Sequence, residues 1–84
     1  MIAGSYVRKV KGYPFDGVVL SKFVTTEGNT RFVVEHADSG MLHIFNETQL
    51  EEVGGEKARN IDFRLANRQY VSETLRDLGE GVDE

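Results

Sequence analysis

The sequence predicts a mainly β fold, a small five-stranded barrel that carries one C-terminal α-helix. Residues 5–53 divide into short runs rich in Val, Phe, Thr and Tyr, separated by Gly-containing turns. From Ala58 to Leu78 the apolar pattern changes to the period of a helix. Between them Gly54-Gly55 reads as a break. Residues 1–53 are therefore expected to form the barrel, and 54–84 a Gly linker and amphipathic helix of the same domain.

Taken in order, Tyr6-Val7-Arg8-Lys9-Val10 alternates weakly and suits a first strand, ended by Gly12. Tyr13-Pro14-Phe15-Asp16-Gly17 is a loop, since Pro14 cannot donate to the ladder of a central strand. Val18 to Val24 is long and rich in β-branched residues, which fit a pleated surface. Glu27-Gly28-Asn29 signals a hairpin, because Gly and Asn tolerate positive φ. Arg31 to His36 returns as the third strand, Asp38-Ser39-Gly40 turns, and Met41 to Phe45 is the fourth. Asn46-Glu47-Thr48-Gln49 reads as one helical turn with Asn46 as its cap, and Leu50 to Val53 as the closing strand.

In the tail, Ala58, Ile61, Leu65, Val71, Leu75 and Leu78 fall near one stripe interrupted by Arg68, while Phe63, Ala66 and Tyr70 make a second strip. Two strips suit two neighbours, the barrel and a second subunit; a single broad face lying on its own barrel is the plainer account. Ile61, Phe63, Leu65, Arg68, Tyr70 and Leu75 are the candidate oligomer interface, with Arg68 expected to pair with an acid across the seam of a homodimer. Gly79 and Gly81 end the helix.

The order of three meandering strands, one tight turn and a short closing strand is that of SH3-like barrels. The runs Gly12 to Val19, Arg31 to Glu35, Gly40 to Phe45 and Gln49-Leu50 resemble small, functionally uncharacterised bacterial proteins with an SH3-like barrel. More distantly they are similar to other SH3-like barrels, including small accessory subunits of photosynthesis. The resemblance covers residues 5–53 and implies a fold rather than an activity, so it carries over no catalytic residue.

Composition narrows the function. At 84 residues there is room for one domain with a small core, which a packed helix or a second subunit would reinforce. There is no Cys, so neither disulfides nor thiolate metal sites are available, and the chain fits a reducing cytoplasm. No apolar run approaches a membrane span, and the first residues lack the pattern of a signal peptide. The net charge of −4 is uneven: residues 1–50 carry five basic and five acidic groups, residues 51–84 five and nine. That balance disfavours a protein that works chiefly by neutralising phosphates.

Catalytic constellations are weak. His36 and His43 flank the Asp38–Gly40 turn, and a four-residue loop would set His36 opposite Met41 and His43 opposite Val34 on one sheet face. With Glu47 they make an incomplete ligand set, so ordinary strand histidines are the better reading and no metal or cofactor is expected. No Ser or Thr sits in a nucleophile elbow. Glu51 and Glu52 are adjacent in a strand and point to opposite faces, which suits a solvated edge rather than an acid–base pair. Gly54-Gly55 lacks the Lys-Ser/Thr of a phosphate loop.

The stronger constellation is Arg8, Lys11, Tyr13, Phe15, Lys22 and Arg31, in which cationic stems lie among aromatic rings. Such a face suits an extended peptide against aromatic walls, or stacked bases and phosphates. The competing account has the basic residues guarding an edge strand and the rings completing the core. The expectation is thus a non-enzymatic binding or adaptor module for a protein or peptide partner, with self-association through the helix. The alternative is a nucleic-acid-associated accessory protein using the same face, which the net charge disfavours.

Overall fold

The computed structural model describes residues 1–68. Its strands are β1 (Tyr6–Lys9), β2 (Asp16–Val24), β3 (Thr30–His36), β4 (Leu42–Asn46) and β5 (Leu50–Glu52), with a 3-10 turn at Glu47–Gln49 between β4 and β5. All pairings are antiparallel, and the sheet order is β4-β3-β2-β1-β5. Each strand expected from the sequence is present within a residue or two of its expected bounds.

The strands form one five-stranded antiparallel sheet that is not closed by hydrogen bonds among the described residues. β4 and β5 are its two edges, and no ladder joins them among the described residues. The 3-10 turn carries the chain from β4 across to β1, where Leu50 registers with Lys9 and Glu52 with Val7. β2 is the longest strand, and a bulge between Val19 and Ser21 inserts Leu20. An inserted residue bends a strand and increases its twist, which curves the sheet over its apolar side.

Alternation along the strands sorts two faces. The inner face carries Val7, Val19, Phe32, Val34, Phe45 and Leu50, all buried, with Phe15 from the loop before β2. At about 25 cal/mol per Å² of apolar surface removed from water, this cluster is the main source of stability. Gly17 is required within it, because a Cβ there would lie 2.2 Å from the backbone oxygen of Glu35 and 2.9 Å from Val34 Cγ1.

The outer face carries Tyr6, Arg8, Asp16, Val18, Val33 and Glu35, and on it lies a helix, α1, observed over 55–68. α1 starts at Gly55 rather than Ala58, so the expected linker shrinks to Gly54. Its stripe from Ala58 through Ile61 and Leu65 to Arg68 faces the sheet; Ile61 is 3% exposed, whereas Phe63 on the second strip is 64% exposed.

Polar bonds fix that face. Arg64 donates from Nε to Asp38 Oδ1 at 2.8 Å and from Nη1 to Asp16 Oδ2 at 2.9 Å, and its Nη2 also pairs with Asp38. Arg68 pairs with Glu35 and donates from Nε to the Ala37 carbonyl at 3.2 Å. The Tyr6 hydroxyl donates to Asp62 Oδ1 at 2.9 Å. Gly40, at φ 76°, leaves room for the Arg68 guanidinium, which a Cβ would meet at 2.2 Å. The hydrogen bond from Arg64 holds the Asp38 carboxyl below its usual range, and the bonds from Asp38 and Asp16 push the Arg64 guanidinium further up.

Arg68 of the candidate interface pairs with Glu35 of its own chain. Ile61 and Leu65 likewise face their own sheet. Tyr70 and Leu75 of the candidate interface lie outside the described residues. Among the described residues, no helix is long and apolar enough to cross a membrane.

Candidate functional site

The 3-10 turn is flanked by two clefts. On one side a cleft of about 340 Å³ is lined by Asn29, Thr30, Arg31, Asn46, Glu47 and Thr48. On the other a cleft of about 310 Å³ is lined by Lys9, Val10, Lys11, Gly12, Thr48 and Gln49. Thr48 lines both, so the two clefts flank the exposed turn as a pair of grooves, one on each side.

The clefts are held by backbone. Asn46 is extended, at φ −74° and ψ 155°, and its N–H donates to Gln49 Oε1 at 2.8 Å, the return arm of a capping box. Val10 N–H donates to the Gln49 carbonyl at 3.0 Å, tying the β1–β2 loop to the turn. Lys9 N–H donates to the Phe15 carbonyl at 2.9 Å and closes the base of that loop. Within the loop, Lys9 Nζ donates to the Lys11 carbonyl at 2.5 Å and sits 4.1 Å from the centroid of the Tyr13 ring. A cation over an aromatic face is attracted by the ring quadrupole, worth about 0.5–1 kcal/mol where exposed. Lys9 thus orders the loop, leaving Lys11 and the Tyr13 ring, 55% exposed, toward solvent.

The six residues singled out from the sequence do not converge on one face. Lys11 lines one cleft and Arg31 the other, and Tyr13 stands on the loop that forms one wall of the first. Arg8 is turned to the helix-bearing face, where its Nε lies 2.5 Å from Glu51 Oε1. Lys22 lines neither cleft, and its Nζ is 5.9 Å from the centroid of Phe32. Phe15 is 5% exposed, and its ring is enclosed by His36 and His43, each 4.8 Å away, and Phe45 at 5.0 Å. Its place is the core, since an aromatic beside a turn-rich loop can fold inward to anchor that loop as readily as face a ligand.

The two histidines take the register expected of them: His43 pairs with Val34, and His36 N–H donates to the Met41 carbonyl at 2.9 Å. Each has a local partner. His36 Nδ1 lies 2.8 Å from the Ser39 hydroxyl, and His43 Nε2 lies 3.1 Å from Met41 Sδ. Among the described residues no group of three or more His, Asp or Glu converges as metal ligands would.

Asn29, Asn46, Glu47, Thr48 and Gln49 were not apparent as site residues from the sequence. The run Asn46-Glu47-Thr48-Gln49 signals a capped turn, and only the packing of the β1–β2 loop against it makes that turn one border of a cleft. Arg31 Nε is enclosed there without a hydrogen-bond acceptor among the described residues. No protein-family model matches the chain, and no curated protein matches it.

Proposed function

We propose that the protein is a non-enzymatic recognition module of SH3-like architecture that seats an extended segment of a protein partner across the 3-10 turn. The observation that carries this reading is the pair of clefts flanking the turn, one lined by Lys9 and Lys11, the other by Arg31, with Thr48 common to both. Two features make the pair fit a chain of alternating character. The exposed Tyr13 ring stands on the loop beside one cleft, and Asn29, Asn46 and Thr48 supply hydrogen-bonding groups in the other. Lys9, Lys11 and Arg31 against the single acid Glu47 favour a peptide with carboxylates. The strand order and the 3-10 turn before the last strand support the SH3-like assignment, with the curl of the sheet standing in for hydrogen-bonded closure.

The test is an anisotropy titration of fluorescent acidic and basic peptide libraries against the full chain. Tyr13→Ala and Lys11→Glu are expected to lower affinity for acidic peptides at least tenfold with the circular dichroism spectrum unchanged. Equal binding by both variants removes the clefts from consideration. The exposed Lys11 and Tyr13 also support a second reading, a nucleic-acid-associated protein. Oligonucleotide binding that falls steeply with salt and vanishes in Lys11→Glu would favour it, because phosphate contacts release counterions.

A further inference from the structure

The sheet has two edges, and they are built differently. β5 is short and ends in Glu51 and Glu52, both exposed, so a strand approaching it meets carboxylates. β4 is Leu42-His43-Ile44-Phe45-Asn46, with neither Lys, Arg, Asp nor Glu, and its Leu42 and Ile44 side chains are 56% and 59% exposed. Natural edge strands are ordinarily blunted by charge, proline or a covering element. None of these guards β4 among the described residues.

The ladder shows which backbone groups are left open. His36 N–H donates to the Met41 carbonyl, and Val34 and Phe32 register with His43 and Phe45. In an antiparallel pair the bonding residues alternate, so the Met41 carbonyl, His43 and Phe45 bond inward to β3, while the Met41 N–H donates to the Ser39 hydroxyl. The N–H and C=O groups of Leu42 and Ile44 consequently point away from the sheet. The next such N–H, of Asn46, is taken by Gln49 Oε1, which ends the open stretch.

We propose that β4 is a self-association edge, where a second copy of this chain pairs antiparallel about a two-fold axis through His43. That register sets Leu42 opposite Ile44 of the second copy and Ile44 opposite its Leu42. Every outward backbone group of these two residues then finds a partner, and each apolar side chain gains an apolar cross-strand neighbour. The strand is thus complementary to itself, as an isologous interface requires. Charge permits the approach, because residues 1–50 carry five basic and five acidic groups and the whole excess of acid lies beyond them. This interface uses neither Lys11, Tyr13 nor Arg31.

Sedimentation equilibrium of the full chain tests the proposal together with amide hydrogen exchange. A mass twice that of the chain is expected at high micromolar concentration, with protection of the Leu42 and Ile44 amides rising as the dimer forms. Ile44→Lys, which places a charge on an already exposed position, is expected to return the chain to a monomer. A monomeric wild type overturns the proposal. So does a dimer in which the Leu42 and Ile44 amides exchange no more slowly than in the monomer; that result would place the contact elsewhere, for example on the exposed Phe63 of α1. The exchange measurement is made on the wild type, so it decides the matter even if Ile44→Lys fails to fold.

Discussion

The two faces of the sheet are covered by different physics. The inner face is closed by apolar side chains alone: Val7, Val19, Phe32 and Val34 are almost completely enclosed, and no polar or charged residue is buried among the described residues. The outer face is covered by α1 through one buried apolar anchor, Ile61, and a set of charged contacts from Arg64 and Arg68. Apolar burial is insensitive to salt and to mild acid, whereas partly exposed ion pairs are screened by salt and lost when carboxylates protonate. The molecule therefore combines a core that sets global stability with a helix whose attachment responds to solution conditions.

The largest effect that would test this contrast is at the inner face. Phe32→Ala is expected to lower the unfolding free energy by about 3–5 kcal/mol, measured by urea denaturation, as truncating a buried aromatic leaves a cavity. A loss under about 1 kcal/mol would mean that this face is not the main core. Gly17→Ala comes next, at about 1–3 kcal/mol, because the added methyl forces β2 away from the Glu35 carbonyl.

Ile61→Ala sharpens the comparison by locality. Hydrogen exchange is expected to quicken across 55–68 while the β2 and β3 amides keep their protection. Uniform acceleration would show instead that helix and sheet open as one unit. Arg64→Ala should act in the same direction and more weakly, about 1 kcal/mol or less, since its partners Asp16 and Asp38 are substantially exposed. Added salt should mimic it in the wild type and do nothing further in the variant.

The smallest effect is that of pH. The Asp38 carboxyl titrates below its ordinary range when folded, so its contribution is complete above that range and fades as pH falls through the depressed value. Acid is thus expected to loosen α1 before the core, seen as early loss of protection at 55–68. Tyr6 has the opposite sign. Its hydroxyl donates to Asp62 and titrates above its ordinary range, so that bond persists at neutral pH and weakens only in strong alkali.

Much of the fold was legible in the chain because it is written in local chemistry. Alternation and β-branching identify β2 and β3, Asp38-Ser39-Gly40 identifies the turn that sets His43 opposite Val34, and Asn46 identifies the 3-10 turn. The candidate site was less legible. Lys11, Tyr13 and Arg31 could be picked out as cations and an aromatic, but Phe15 has the same sequence character as Tyr13 and folds inward. Which ring faces solvent depends on space among His36, His43 and Phe45, residues more than 20 positions away in the chain.

What the sequence determined by itself is the class of the fold, the order and approximate bounds of its strands, the period of the helix and the concentration of acid after residue 50. These follow from interactions between near neighbours, which a short window of residues contains. Tertiary structure alone decided that the sheet stays open between β4 and β5, that Arg64 and Arg68 spend their charge on Asp16, Asp38 and Glu35 of the same chain, and that clefts flank the 3-10 turn on both sides. Each of these depends on groups brought together from distant parts of the chain, and no local pattern records which acid an arginine will meet.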